Sequence, residues 1–239
     1  MAFVVCHMEK YGAGNLGSLQ RHNQRETENH ANKDINTQYS YLNYGLVNAY
    51  EISYPNKIDT RIVEGVETNQ AIRKDAVRVC RFIVSASPEL FDDPERSSYI
   101  LDPMEARASG KAAQYFQAAT DFFKERYGEK NVVFASVHLD ETTPHMHLGV
   151  VLITADHKLS AKRIFNHKEL QDLQKALPEH LQQQGFDVEK RQSRNEHLDE
   201  LDYKAKQAEI RAELAQEKAV EAEKTLVEKR AAWLKQKRL

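Results

Sequence analysis

The chain has 239 residues, enough for one domain with an appendage or for two small domains. Hydrophobic residues make up 41% and charged residues 29%, with only 9 Gly and 6 Pro, which excludes collagen-like and wholly disordered proteins. The formal net charge of −2 gives no general reason to expect nucleic-acid binding. No apolar run approaches the roughly 20 residues of a membrane span, and two cysteines, Cys6 and Cys80, are too few for a disulfide-stabilised secreted fold. We therefore expect a cytoplasmic protein with reduced thiols and no membrane segment.

Strands and helices alternate irregularly over the first 194 residues. A strand is predicted at 2–8, a helix at 15–29 capped by Asn15, and a polar, functional loop at 31–50 that later turns helical. The next predicted elements are a helix at 56–67, a strand at 78–85, a helix at 104–127 closed by Gly128, and strands at 131–138 and 145–154. A turn at 155–157, a short edge strand and a helix at 167–184 ended by Gly185 follow. The fold class predicted is α/β of the α+β type, an antiparallel sheet with helices on one face.

Residues 195–239 differ from the rest of the chain. They contain no Gly or Pro and are dominated by Ala, Glu, Lys, Leu and Arg, which predicts one long helix. Apolar and small residues recur at alternating steps of three and four from Leu198 to Trp233. This seam fits either a solvated helix packed on its own domain or a short antiparallel or dimeric coiled coil, the latter giving a homodimer. The domains expected are therefore 1–194 and the helix 195–239.

Three imidazoles and a carboxylate are concentrated in a predicted hairpin, at His138, Glu141, His145 and His147. Side chains alternate along a strand, so His145 and His147 share one face. If residues 139–144 connect the strands, His138 lies opposite His145 and projects to the same side. Three such imidazoles would repel when protonated and be costly to bury, so a metal site with open coordination positions is the preferred interpretation. Glu141 is interpreted either as a ligand or as a group that orients a neighbouring base or nucleophile.

The ordered motifs resemble a known family. His145-Met146-His147 resembles the His-hydrophobic-His signature of the HUH endonucleases, and the run 138–149 resembles the third motif of the MobV (Mob/Pre) plasmid mobilisation relaxases. Residues 14–36 and 42–44 resemble the first and second motifs of that family, and 69–76 and 135–138 are further family-like runs. The resemblance extends over roughly residues 2–190.

This resemblance implies an HUH relaxase fold and a metal-dependent enzyme that nicks and rejoins one DNA strand. The partner implied is plasmid DNA at a transfer origin, with a single-stranded nick region and an adjacent hairpin or duplex. The family implies His22 as the nucleophile that becomes covalently joined to the 5′ phosphate, with Tyr44 as its competitor. Mn or Mg is the divalent ion favoured, and Zn is not excluded by imidazole ligands.

Local basic and amide groups near these motifs are the candidate DNA contacts, where guanidinium groups would bind phosphates bidentately. They are Arg21, Arg25, Lys33, Asn36, Arg73 and Lys74. Asn36 could equally cap a turn.

Three other functions remain open. A rolling-circle replication initiator or HUH transposase would share the histidines but act through tyrosine. A metal-dependent hydrolase without a nucleic-acid role would need the hairpin alone, and a coiled-coil interaction protein would use the histidines for a closed structural metal site.

Overall fold

The computed structural model describes residues 2–27, 32, 34–48, 52–67, 71–91 and 110–190. The chain separates into one unit at Met1–Arg191 and a second at Gln192–Leu239. The predicted helix 195–239 lies outside the described residues, as do Lys33 and the first part of the predicted helix 104–127. Within the described part of the chain, no helix is long and apolar enough to cross a membrane.

Six strands form one sheet in the order β2-β4-β5-β3-β1-β6. They are β1 Ala2–Gly12, β2 Tyr44–Gly45, β3 Val77–Ala86, β4 Val132–His138, β5 His145–Val150 and β6 Val188–Lys190. All neighbouring pairs are antiparallel except β1 and β6, which are parallel. The long central strands β3, β4 and β5 are nearly continuous runs of buried residues, because both faces of the sheet are covered.

In the described part of the chain, five α-helices pack against the sheet. They are α1 Leu16–Asn23, α2 Tyr54–Gly65, α3 Lys111–Tyr127, α4 Ala161–Ile164 and α5 His167–Gln183. The Ser53 side chain accepts a hydrogen bond from the backbone N–H of Asn56 at the start of α2, and the Asn166 side chain does the same for Glu169 at the start of α5. Gly128 ends α3 with φ +90°, a left-handed conformation that costs glycine little.

Helices cover both faces of the sheet, so the prediction of helices on one face was wrong. Side chains of β4 and β5 such as Val137, Met146 and Leu148 pack in a core with the phenylalanines and leucines of α3 and α5. Phe134, on the alternate face of β4, packs in a second core with apolar residues of α1 and α2. Strand alternation therefore divides the hydrophobic residues between two layers, and the first motif lies over the second of them.

Several boundaries differ from those predicted. Strand β1 continues to Gly12, and β5 ends at Val150 instead of residue 154. The predicted edge strand is only an isolated bridge between Ile153 and Leu159. Asn15 precedes α1 without a side-chain capping bond. The helix α1 ends at Asn23, well before residue 29, for a reason that lies in the functional site.

Candidate functional site

The predicted histidine hairpin is confirmed by the pairing of β4 and β5. His138 lies opposite His145, and Ser136 lies opposite His147. On the other side of β5, Ser85 of β3 is the partner of His145 and donates a hydrogen bond from Oγ to the carbonyl oxygen of Pro144, 2.7 Å away. The hairpin is therefore held in the middle of the sheet, with its imidazoles on the face covered by α1 and α2.

Four imidazole rings converge on this face. The ring centroids of His138 and His147 are 4.7 Å apart, those of His145 and His147 4.9 Å, and those of His138 and His145 5.1 Å. The helix α1 brings a fourth ring, His22, to 5.2 Å from His147 and 5.9 Å from His138. The three predicted ligands and the predicted nucleophile thus form one cluster, which we call the imidazole cluster.

Backbone carbonyls determine which ring nitrogens of the cluster carry lone pairs. Nε2 of His138 is 2.8 Å from the carbonyl oxygen of Asn23, and Nδ1 of His145 is 3.0 Å from that of Thr143. A carbonyl oxygen only accepts, so both of these nitrogens carry the proton and donate. The remaining nitrogens, Nδ1 of His138 and Nε2 of His145, then face each other with lone pairs at 3.3 Å. Two facing acceptors suit a shared cation, and metal-bound histidines commonly donate their other N–H to a carbonyl.

His147 adds a second observation that fits a metal ion. Its side chain is 2% exposed, and neither ring nitrogen has a hydrogen-bond partner among the residues described. Two sets of side chains bring ligand atoms within 4.8 Å of one another, namely His22, His138 and His147, and His138, Glu141 and His145. His138 belongs to both sets, so the donor atoms fit a divalent ion centred near it.

The surroundings of His22, His138 and His147 favour the neutral form of these three rings. Burial, followed by the positive charges of Arg25 and Arg81, lowers the pKa of His22 to about 4. Burial and the neighbouring imidazoles lower the pKa values of His138 and His147 well below their usual range. Neutral imidazoles are the form that binds metal and the form that attacks as a nucleophile.

Glu141 borders the cluster and is itself held in place. Its Oε1 is 3.6 Å from Nε2 of His145 and 3.9 Å from Nδ1 of His138. Arg25 donates to Oε1 at 2.7 Å, and Asn32 donates to Oε2 at 2.8 Å. Glu141 is thus close enough to His138 and His145 to join them as a ligand or to orient them, the two roles predicted for it.

Arg25 is engaged by protein groups, which does not support the expectation that it clamps a DNA phosphate. Its Nε and Nη2 donate to the two carboxylate oxygens of Asp140 at 2.9 and 2.7 Å, and its Nη1 donates to the carbonyl oxygen of His22 at 3.1 Å. The side chain is 6% exposed. Arg25 also has φ +55°, a left-handed conformation that cannot continue a helix, so α1 ends at Asn23. This arginine positions the end of α1, and with it His22.

Asp140 is the site residue whose importance the sequence did not reveal. It is fully buried and also accepts a hydrogen bond from Ser40 Oγ at 2.7 Å, while its backbone carbonyl accepts from the N–H of Asn36 at 2.8 Å. Burial raises the pKa of Asp140, but hydrogen bonds from Arg25 and Ser40 outweigh burial and hold the pKa well below its usual range. The sequence feature that could have pointed to Asp140 is the acidic pair Asp140-Glu141. Asn36, a candidate DNA contact, caps the Thr37–Leu42 3-10 helix with its side chain.

Tyr44, the competing nucleophile, lies on the wrong face of the sheet. It pairs with Val137 of β4, and antiparallel partners project to the same side, opposite to the histidines. Its ring packs against the core formed with α3 and α5, and burial raises the pKa of its hydroxyl to about 12. Geometry and pKa therefore both argue against Tyr44 as the attacking group.

The remaining basic candidates are at the surface. Arg21, Arg73 and Lys74 are exposed, and Arg73 is paired with Asp75 at 3.5 Å. Exposed cations of this kind can meet a phosphate backbone, and Arg21 directly precedes His22 on α1.

Sequence comparisons place these features in a family. The family model described as "Plasmid recombination enzyme" matches residues 1–205. A plasmid recombination enzyme of Lactiplantibacillus plantarum is 39% identical over 213 residues, which cover 88% of this chain and 55% of the relative. Another from Streptococcus agalactiae is 40% identical over 191 residues, covering 80% of this chain and 36% of the relative. The chain thus spans about half or less of the length of these relatives.

The fold is also similar to solved structures. A MobM relaxase domain bound to plasmid pMV158 oriT DNA, in a Mn-bound crystal structure at pH 6.8, is 37% identical with a TM-score of 0.70. That match covers 85% of this chain and 98% of the solved one. A second Mn-bound structure of the same domain with DNA, at pH 5.5, has a TM-score of 0.72 at 36% identity.

Proposed function

Because the chain belongs to the plasmid recombination enzyme family, we propose that it is a plasmid mobilisation relaxase that nicks and rejoins one strand of plasmid DNA at a transfer origin. The observation that carries the proposal is the imidazole cluster, in which a neutral His22 lies beside three histidines of one hairpin, of which His138 and His147 are buried. Its support is the fold shared with a relaxase domain that was solved with transfer-origin DNA.

The metal site proposed consists of His138, His145 and His147, with Glu141 beside them. The facing lone pairs of the first two and the unpartnered nitrogens of the third suit a divalent cation. Mn is favoured because the solved relatives are Mn-bound, and Mg is the alternative. When bound, such an ion supplies positive charge to a non-bridging phosphate oxygen. The protein's own contribution is to keep His138 and His147 neutral and to orient the rings of His138 and His145 through backbone carbonyls.

His22 is the proposed nucleophile. Its pKa of about 4 leaves a ring nitrogen unprotonated at neutral pH, so it attacks phosphorus without prior activation. The new N–P bond forms as the bond from phosphorus to the 3′ oxygen breaks, that oxygen gains a proton, and the imidazole gives up its ring proton. The 5′ phosphate is then held as a phosphoramidate, and rejoining reverses the step. The helix end fixed by Arg25 and Asp140 keeps the attacking ring in position.

Surface cations are the proposed guides for the DNA strand. Arg21, Arg73 and Lys74 are exposed and available to phosphates on either side of the nick, whereas Lys33 lies outside the described residues. The homodimer expected from residues 195–239 stays a prediction.

The proposal is tested by incubating the protein with supercoiled plasmid that carries a candidate transfer origin, in Mn²⁺, Mg²⁺ or chelator, followed by mass analysis of the protein-linked 5′ nucleotide. We expect an acid-labile adduct on His22, formed only with metal. His22→Ala should abolish the adduct while DNA binding persists, and His147→Ala should remove metal-dependent cleavage. An acid-stable adduct on a tyrosine would preserve the relaxase and refute the nucleophile. Tightly held, non-exchanging Zn without nicking would instead favour a structural metal site.

A further inference from the structure

A second buried arginine, Arg81 of β3, shares the histidine face of the sheet. In the strand register it lies between Glu9 of β1 and Gly149 of β5. Alternation along β3 puts Arg81 on the same face as Ser85, the partner of His145. Its charge, after the larger effect of burial, contributes to the lowered pKa values of both His22 and His147. Arg81 therefore flanks the imidazole cluster on the side of β1.

The guanidinium of Arg81 is held rigidly by β1. Its Nη2 donates to Oε2 of Glu9, and its Cζ lies 5.3 Å from the ring centroid of Tyr11. The Tyr11 hydroxyl donates to the same Glu9 oxygen at 2.7 Å. A guanidinium fixed between a carboxylate and an aromatic ring has lost most of its rotational freedom before any ligand arrives.

Arg81 retains one donor, Nε, that no group among the described residues uses. It is 9% exposed, and its buried Nε has no hydrogen-bond partner among the residues described. Arg25 is the instructive contrast, because two carboxylates and a carbonyl occupy its guanidinium. Arg81 faces the single carboxylate of Glu9. An orphaned buried donor is costly. Nε of Arg78 on the same strand is also buried without a partner among the residues described, so what distinguishes Arg81 is that its unused donor lies on the histidine face beside the imidazole cluster.

We propose that Arg81 binds a non-bridging oxygen of one DNA backbone phosphate at or next to the nick, from the β1 side of the imidazole cluster. The inference rests on the proposed relaxase function and adds a phosphate-binding residue to it. Planar guanidinium donors are suited to phosphate oxygens, and a preorganised one binds with little further ordering.

The test pairs protein variants with single phosphate changes. Oligonucleotides that span the nick site each carry one neutral methylphosphonate at a different position, and their affinity is measured by fluorescence anisotropy in EDTA, with cleavage measured separately in Mn²⁺. We expect Arg81→Gln to weaken binding of the unmodified strand about 10- to 100-fold, the range for a charge-assisted hydrogen bond. One methylphosphonate position should weaken binding to the wild-type protein but have no further effect on Arg81→Gln. Arg81→Lys, which keeps the charge without the fork, should be intermediate.

Two further variants separate phosphate binding from strand alignment. Glu9→Gln removes the same ion pair but keeps the guanidinium, so Arg81→Gln should lose at least about tenfold more affinity than Glu9→Gln. Arg78→Gln is the matched control, because Arg78 is on the same strand and pairs with Asp59 at 2.8 Å, away from the histidines. It should bind DNA like the wild type.

Equal losses of DNA affinity for Arg81→Gln and Glu9→Gln would overturn the inference. So would the finding that each methylphosphonate position weakens DNA binding equally in Arg81→Gln and in the wild type. Either result, obtained with a wild-type protein that forms the covalent adduct, leaves the relaxase proposal intact. A wild-type protein that neither binds nor cleaves any origin strand would overturn both. If Arg81→Gln unfolds, the DNA affinities of Arg81→Lys and Glu9→Gln can still be compared.

Discussion

Asp140→Asn removes the charge of a fully buried carboxylate with almost no change of shape. That carboxylate accepts hydrogen bonds from Arg25 at 2.7 and 2.9 Å and from Ser40 at 2.7 Å. In the variant, an amide N–H must face donors of the guanidinium. Removing one partner of a buried ion pair typically costs about 3–5 kcal/mol of unfolding free energy. Because Glu141 still accepts from Arg25 at 2.7 Å, we expect the lower end, about 3 kcal/mol.

The pH dependence of this loss follows from the lowered pKa of Asp140 in the folded protein. A carboxylate with a lowered folded pKa stabilises the fold above its unfolded pKa of about 4, and this stabilisation is lost as the pH falls through the folded pKa. The stability difference between wild type and Asp140→Asn should therefore be constant from about pH 5 to pH 8, and shrink only in stronger acid.

The assay is urea unfolding of both proteins in chelator at several pH values. Asp156→Asn is the matched control, since Asp156 forms an ion pair with Arg163 at 2.9 Å at the surface, with both side chains about half exposed. Exposed pairs contribute little, so this control should keep the wild-type midpoint. If Asp140→Asn also kept the wild-type midpoint, the buried pair would not stabilise the fold, and the account of how α1 is held would be refuted.

Three further predictions concern the nucleophile, the packing below the cluster and acidity. Tyr44→Phe should keep most plasmid nicking, because Tyr44 lies on the opposite face from His22; a cleavage-dead Tyr44→Phe protein with normal DNA binding would contradict the assignment. Gly149→Ala should lower the unfolding free energy by about 1–3 kcal/mol, because the added Cβ would lie 2.2 Å from the ring of Phe134, whereas Gly14→Ala, with nothing within 4 Å, should be tolerated. Without metal, thermal stability should fall as the pH drops from about 6.5 towards 4, because the imidazole of His22 binds a proton in the unfolded chain but stays neutral in the folded one, where its pKa is about 4. A melting temperature that is flat over this range would refute the lowered pKa of His22.

The hairpin could be predicted because its geometry is local. A period of two fixes which residues of a strand share a face, and a short connection fixes the partner across the pair. His138, His145 and His147 are therefore brought together by residues within ten positions of one another, as the register confirms. The presence of His22 near them came from the resemblance of the ordered motifs, not from periodicity.

The surroundings of other site residues depend on contacts between distant segments, which sequence patterns do not show. Arg25 and Asp140 are 115 residues apart, and only the folded chain shows that they neutralise each other. Tyr44 belongs to a strand of two residues, too short for a pattern, so its face is decided by its register against β4. Likewise, helices cover both faces because β4 and β5 carry apolar residues on both sides. The amphipathic pattern of a helix shows that one of its faces is buried, but not on which face of the sheet it packs.

The amino-acid sequence by itself determined the strands, the histidine hairpin and the motif order, because these follow from local periodicity and turn length. The tertiary structure alone decided which charges remain available. It buries Arg25 against Asp140 and Glu141, while Arg81, beside the single carboxylate of Glu9, keeps an unused donor next to the imidazole cluster. The cause is physical: the state of a charged side chain depends on the partners and solvent around it, and these are set by packing between segments far apart in the chain.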